Sequence, residues 1–191
     1  MKNTLLKGSL YLACCVVIFG MMGCEESIQR SARVDTYYLK YNLHYYLRTR
    51  DRIASVANFI RCPNHGFYPY NTAVKVDTYR NGFIFTIKET REVIYMECSK
   101  AHLGNKSRTE YLDLIVSPTA VNYTGISGVN QKGISEAKPY EGMSKQGILI
   151  ALGYPAPGFT PSLDSDVWQY WYNRYLKCLI HFEDEKVVKI K

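Results

Sequence analysis

The clearest hydrophobic pattern in the chain is a pair of alternating runs in residues 74–87. β-Branched or aromatic side chains recur at every second position of both runs, first at Val74, Val76 and Thr78 and then at Phe83, Phe85 and Ile87. Asn81-Gly82 separates the runs, and both residues tolerate the positive φ that a type I′ turn requires. The pattern predicts an antiparallel β-hairpin, and the apolar run "EVIYMEC" at residues 92–98 predicts a third strand.

A short helix is predicted after this third strand. Ser107 is followed three residues later by Glu110, which is the spacing of a capping box. Apolar side chains at 111, 114 and 115 would form one face of the helix, and Pro118 prevents it from continuing. Earlier in the chain, residues 36–48 suit a helical face and a strand face about equally, although their aromatic content favours a strand.

The last fifty residues have a pattern of their own. Ser144 is a candidate N-cap, apolar residues follow from Ile148, and Gly153 with Pro155 ends the run, which predicts a helix over residues 145–152. Three strand-like runs come next, "VWQYWYN", "YLKCLIHF" and "KVVKI", separated by turns at 173–174 and 183–185. The order predicts an antiparallel meander with a helix on one face.

These elements predict an α+β protein that is mainly antiparallel β. A β-rich N-terminal region covers residues 36–121, and a helix-and-three-strand meander covers residues 141–191. Between them, residues 122–140 are rich in Gly, Ser and Asn, and we interpret this segment as a linker.

The N-terminus has the pattern of a bacterial lipoprotein signal. Lys2 and Lys7 give a basic start, residues 8–23 carry no charge, and "MMGC" places a small residue before Cys24. The prediction is cleavage after residue 23, attachment of acyl chains such as palmitate to Cys24, and a polar tether over residues 24–35. An uncleaved membrane anchor is the alternative, because the apolar stretch is close to about 17 residues, the lower limit for spanning a bilayer.

Composition and cysteine count narrow the function. The net charge of +7 and the 17 tyrosines would be compatible with RNA binding, but predicted export argues against a nucleic-acid partner. Cys14 and Cys15 are removed with the predicted leader, and Cys24 is lipidated. Three cysteines remain, Cys62, Cys98 and Cys178, so at most one disulfide forms within the chain. Cys62 with Cys98 is the expected pair, because both flank the same β region; the alternative is three buried, inert thiols.

Catalytic signatures are missing from the sequence. It contains no GxSxG, HExxH or CxxC motif and no phosphate-binding glycine loop, which predicts a protein that is not an enzyme and has no cofactor. "CPNH" and "CSKAH" offer Cys62, His65, Cys98 and His102 as a tetrahedral zinc set, and this is an alternative that a disulfide would exclude.

The C-terminal region resembles a known family. The features that produce the resemblance are the helix start "GMSKxxI", the helix stop "LGYP", the aromatic strand "WQYW" and the C-terminal stretch "HFEDEKVVKI". Together they resemble the SmpA/OmlA (BamE-like) family of outer-membrane lipoproteins over residues 141–190. Three features depart from the family pattern. Gly147 stands where a good helix former is usual, the usual first helix is not evident before Gly142, and the Tyr-rich region upstream is not part of the family's small domain.

The resemblance implies a non-catalytic, lipid-anchored adaptor of the cell envelope. Its implied partner is outer-membrane β-barrel assembly machinery or another envelope protein, and its implied location is the periplasmic side of the outer membrane. Candidate contact residues are Phe159, Trp168 and Trp171, although the two tryptophans face opposite sides of one strand and core packing is the alternative for both. A periplasmic inhibitor or ligand-binding module is a second hypothesis.

Overall fold

Two β-sheets and four helices make up residues 35–126 and 128–191, which are the residues that this computed structural model describes. The predicted leader, Cys24 and the predicted tether up to residue 34 lie outside the described residues. The architecture is mixed α+β with mostly antiparallel strands, as the sequence predicted.

The N-terminal elements run from β1 to β8. In chain order they are β1 (Tyr37–Leu39), β2 (Leu43–Arg48), β3 (Asp51–Ser55), β4 (His65–Tyr68), β5 (Ala73–Tyr79), β6 (Gly82–Ile87), β7 (Val93–Glu97), α1 (Lys100–Leu103), α2 (Arg108–Ile115) and β8 (Val116–Ser117). The ambiguous segment 36–48 is therefore two strands.

The C-terminal elements follow in the order helix, helix, strand, strand, strand. They are α3 (Val129–Glu136), α4 (Lys145–Leu152), β9 (Val167–Trp171), β10 (Lys177–Glu183) and β11 (Lys186–Ile190). The predicted helix over residues 145–152 and the predicted meander are both present, and the three strands pair in the order β11-β10-β9.

The larger sheet has eight strands in the order β4-β2-β3-β7-β6-β5-β1-β8. Within it β3 and β7 pair in parallel, whereas the other neighbours are antiparallel. Three further strands lie between β3 and β7 in sequence, which provides the long crossover that a parallel pair needs.

The predicted hairpin is β5–β6, but its turn lies one residue earlier than expected. Tyr79 pairs with Gly82, so the two loop residues are Arg80 and Asn81, and Arg80 has the positive φ, at 44°. Gly82 belongs to β6, and a Cβ there would lie 1.8 Å from the carbonyl oxygen of Met96 on β7. The glycine is required by this close approach of two strands and not by the turn.

The segment predicted as a linker, residues 122–140, contains helix α3. This helix packs on α4 through positions without side chains, since a Cβ on Gly133 would lie 2.3 Å from the sulfur of Met143 and one on Gly147 would lie 2.1 Å from Oδ1 of Asn130. Gly147, unfavourable for an isolated helix, therefore allows close contact between α3 and α4.

Both predicted N-caps are present. Ser107 accepts a hydrogen bond from the Glu110 amide at 3.2 Å, and the Glu110 carboxylate accepts one from the Ser107 amide at 2.7 Å, which completes the capping box of α2. Ser144 accepts a hydrogen bond from the Gly147 amide at 3.0 Å, and Gly153, with φ of 83°, ends α4.

The described residues bury two hydrophobic clusters within one compact unit. The first lies between the larger sheet and α2, and the second lies between the three-stranded sheet and helices α3 and α4. Trp168 and Tyr170 belong to the second cluster, whereas Trp171 belongs to the first. β9 thus contributes a tryptophan to each cluster, because alternate side chains of a strand face opposite sides.

A histidine pair connects the larger sheet to helix α4. Nε2 of His44 donates a hydrogen bond to the carbonyl oxygen of Ala151 at 2.8 Å, which leaves Nδ1 of His44 as the acceptor for Nε2–H of His65, also at 2.8 Å. His44 is buried, and burial lowers its pKa from 6.5 to about 3. The side chain of Asn42 adds a second connection by donating to the carbonyl of Ile134 at 2.8 Å.

Candidate functional site

The three side chains predicted as partner contacts are not equally available. Trp168 is fully buried, and its ring centroid lies 4.7 Å from that of Phe182. Trp171 is only 7% exposed, whereas Phe159 is 44% exposed. The prediction of a tryptophan contact surface is wrong for both tryptophans, because the two sheets' cores take up the two faces of β9.

Phe159 also packs within the chain. Its ring lies 4.9 Å from that of Trp171 and 5.6 Å from the imidazole of His102, both measured between centroids. The loop that carries Phe159 approaches α1 closely, since a Cβ on Gly158 would lie 2.1 Å from the carbonyl oxygen of Ala101. Phe159 therefore covers Trp171 and is itself only half available to a partner.

The predicted disulfide is not formed, and Cys62, Cys98 and Cys178 are free thiols. Cys98 directly follows β7 and is buried in the first cluster. After β3, however, the chain leaves the sheet and pairs with the end of β9, where the Arg61 amide donates to the carbonyl of Tyr172 at 2.8 Å. This path places Cys62 beside Tyr172, away from the position next to β7 that the sequence order suggested.

The alternative zinc set is not assembled either. His65 lies on β4 against His44, and His102 lies on α1 against Trp171. Over the described residues no three His, Cys, Asp or Glu side chains lie close enough to hold a metal ion. In sequence, Cys62 lies near His65 and Cys98 lies near His102. The fold does not bring these two pairs together.

Among the large apolar side chains of the described residues, the two most exposed lie on the connection between β9 and β10. Tyr175 is 83% exposed and Leu176 is 59% exposed. The side-chain oxygen of Asn173 accepts hydrogen bonds from the amides of both residues, at 2.9 and 3.0 Å. We call residues 173–176 the hairpin tip; its backbone is fixed while its apolar side chains point to solvent.

Positive charges surround the hairpin tip. Arg174 belongs to it, Lys177 follows it, and the guanidinium of Arg61 lies 5.0 Å from the ring centroid of Tyr172. Burial raises the pKa of Tyr46, and the charges of Arg48 and Arg174 partly oppose this shift, so Arg174 lies within electrostatic range of the Tyr46 ring on β2.

Sequence reasoning missed the hairpin tip. The turn was predicted at residues 173–174, with Tyr175 and Leu176 in the next strand, whereas that strand begins only at Lys177 and both residues belong to the connection before it. A β-turn signal also does not say whether the side chains near it will be covered. The available signal was "NRYL", in which a tyrosine and a leucine occupy turn positions that are usually polar.

A cleft of about 440 Å³ lies on the open face of the larger sheet. Its walls come from the β2–β3 turn, the β5–β6 turn and the end of β7, and its floor includes buried Ile53. Half-buried Tyr79 and Tyr95 lie side by side in it, with ring centroids 5.2 Å apart. We call this site the sheet cleft.

Charged side chains at the rim of the sheet cleft are balanced. Arg48 and Glu97 form a salt bridge of 2.9 Å, and both remain about half exposed. Arg80 stacks on Tyr79 at 5.1 Å, and Asp51 lies on the opposite wall. Cys98 also lines the cleft, but burial raises its pKa to about 11, so this thiol stays protonated and unreactive at neutral pH.

Comparison with known proteins yields no match: no family model fits the sequence, and neither a curated protein nor a solved structure aligns with it significantly. In the part of the chain with described coordinates, no helix has the length and apolarity needed to span a bilayer.

Proposed function

We propose that this chain is a non-catalytic adaptor of the bacterial cell envelope, anchored by acyl chains on Cys24, which binds a protein partner through the hairpin tip. The carrying observation is the exposure of Tyr175 and Leu176 on a backbone that Asn173 holds in place. Aromatic residues and arginines are enriched at the centres of protein interfaces, and this tip presents both.

The binding free energy that the hairpin tip can contribute follows from the burial of its apolar side chains. Covering one leucine or aromatic side chain completely stabilises an interface by about 1.5–3 kcal/mol. The fixed tip adds to this, since little conformational entropy is lost when a preorganised loop binds. The surrounding arginines and Lys177 favour a partner with an acidic rim around an apolar pocket.

The arrangement of the C-terminal elements supports an SmpA/OmlA-like domain as part of this proposal. Helix α3, which the sequence did not reveal, precedes α4 as the family's usual first helix would, and the meander is the next set of elements after α4. Gly147 is accounted for by the contact with Asn130 on α3. By this resemblance the partner belongs to the outer-membrane β-barrel assembly machinery, with the domain facing the periplasm.

Anchoring would make a modest interface sufficient. Two or more acyl chains hold a protein stably at a membrane, whereas one chain holds it weakly. Confinement to the membrane raises the concentration of the hairpin tip near a membrane-bound partner, so the tip need not bind tightly by itself.

The partner interface is tested by photo-crosslinking in intact cells. A photoreactive phenylalanine derivative replaces Tyr175, and the matched control places it at Val188, which is 43% exposed on β11 and lies near the β10–β11 turn, at the opposite end of β10 from the hairpin tip. We expect a crosslinked product of discrete mass from position 175 and not from position 188. Equal products from both positions, or none from position 175, would contradict the hairpin tip as the interface.

The anchor is tested separately. Intact mass measurement of the purified chain should show loss of residues 1–23 and addition of acyl chains at Cys24. A wild-type chain that keeps residues 1–23 and carries no acyl chain would instead support an uncleaved anchor.

A further inference from the structure

The sheet cleft is a second site, separate from the hairpin tip in the residues that form it. It lies where two hairpin turns and the end of β7 meet, so its lining comes from five neighbouring strands, β2, β3, β7, β6 and β5, and not from a single loop. Tyr95 is paired in register with Ile53 on one side and with Ile84 on the other. A ligand would therefore meet a rigid, preformed surface.

The floor of the sheet cleft offers an apolar platform. The rings of Tyr79 and Tyr95 lie at 55° to each other with centroids 5.2 Å apart, and both keep part of their surface open. Aromatic faces of this kind pack against flat, partly apolar ligands while the hydroxyl groups remain available for hydrogen bonds. Ile53 lies between them and the β2–β3 turn.

The rim limits the charge of the ligand. Arg48 and Arg80 supply two positive charges, and Asp51 and Glu97 supply two negative charges. A site for a phosphate or polycarboxylate would carry an excess of cations, because an anion must be compensated when it loses water. Here the charges cancel, and the cleft is lined by both guanidinium donors and carboxylate acceptors.

We propose that the sheet cleft binds a neutral oligosaccharide. A sugar ring has an apolar face of C–H groups that stacks on the ring of Tyr95, with Tyr79 and its stacked Arg80 beside it, and a rim of hydroxyls that both donate and accept hydrogen bonds. Arg48 and Arg80 donate to hydroxyl oxygens, and Asp51 and Glu97 accept from hydroxyl protons. The volume of about 440 Å³ accommodates a segment of two to three sugar rings, given that small-ligand sites span about 300–1,000 Å³.

This proposal does not rest on the partner surface, and its test uses different residues. The full chain, purified in a detergent without sugar headgroups, is titrated with tetramers of N-acetylglucosamine and, separately, of glucose. Binding is followed by saturation-transfer NMR and by calorimetry. We expect at least one tetramer to bind, with sugar C–H protons receiving saturation from the tyrosine rings.

Matched variants locate the site. Tyr95→Ala should weaken binding by about tenfold or more, the scale of losing one aromatic contact, whereas Tyr95→Phe should retain most of it. Tyr175→Ala removes an equally large side chain outside the cleft and should leave the affinity within about twofold, the range of an unconnected site. Arg48→Gln, at an exposed rim position, provides a second test if Tyr95→Ala does not fold.

Three results would overturn the proposal. The first is no binding of either tetramer at about 10 mM, a concentration that detects millimolar dissociation constants. The second is unchanged affinity in a folded Tyr95→Ala or Arg48→Gln protein. The third is competition by inorganic phosphate, which would identify an anion site in place of a sugar site.

Discussion

Acidification should destabilise this protein through His44. The imidazole is buried between the larger sheet and α4, and burial lowers its pKa from 6.5 to about 3, with the neighbouring His65 acting in the same direction. In the unfolded chain His44 takes up a proton below about pH 6.5, whereas in the folded protein it stays neutral. The stabilisation is thus fully present above pH 6.5 and is lost as the pH falls towards 3.

The size of the effect follows from the difference in pKa. Each pH unit between the two pKa values costs about 1.4 kcal/mol of folding free energy. At pH 5, His44 alone should therefore lower the free energy of unfolding by about 2 kcal/mol relative to neutral pH. Burial also lowers the pKa values of His65 and His102, so both histidines steepen the same dependence.

The assay is urea unfolding at pH values between 5 and 7.5, followed by the fluorescence of Trp168 and Trp171, which are both buried. The comparison is with His44→Gln, whose side chain can still donate to the Ala151 carbonyl but does not titrate. Below pH 6.5 the free energy of unfolding of the variant should fall less steeply with decreasing pH than that of the wild type, by about 1.4 kcal/mol per pH unit, the contribution of one titrating group. Parallel stability profiles for the two proteins would refute the assignment of a neutral, buried His44.

Four further substitutions test helix capping and core packing. Ser107→Ala removes the capping box of α2 and should cost about 1 kcal/mol in thermal unfolding, with Thr as a replacement that restores most of it. Gly82→Ala places a methyl group against the Met96 carbonyl and should cost about 3 kcal/mol by urea unfolding; a neutral effect would mean that β6 and β7 are not so close. Trp168→Ala should lower the free energy of unfolding by about 3–5 kcal/mol, because Trp168 is fully buried. Phe159→Ala should lower it by about 1 kcal/mol, which is less than half as much, because Phe159 is half exposed. Equal losses would contradict the placement of the two rings.

Local signals predicted local elements well. The capping box of α2, the cap and stop of α4, the β5–β6 hairpin and the three-stranded meander were all visible in the sequence, because each depends on residues within a few positions of one another. The assignment of an α+β fold with mainly antiparallel strands followed from these elements alone.

Helix α3 was missed for a physical reason. Its N-cap is Gly128 and its last turn ends at Ala137, which adopts a left-handed conformation without being glycine or asparagine. Gly133 within it lowers helix propensity further. These residues become favourable only once α3 packs against Met143 and Asn130 meets Gly147, and sequence spacing does not show such contacts.

Candidate sites were predicted less well than elements. From sequence order alone, a zinc-ligand set or a disulfide could be predicted from Cys62, His65, Cys98 and His102. In the fold, the loop after β3 places Cys62 at the end of β9. Likewise, the period of β9 showed that Trp168 and Trp171 face opposite ways, but only the fold places a hydrophobic cluster on each side.

By itself the sequence determined the short elements, because hydrophobic period, caps and turns act over a few residues. Lipidation at Cys24 stays a prediction. Only the tertiary structure decided which side chains are covered. It buried both tryptophans, left Tyr175 and Leu176 exposed, and assembled the sheet cleft from strands distant in sequence. Exposure depends on what packs over a residue, and those neighbours lie tens of positions away along the chain.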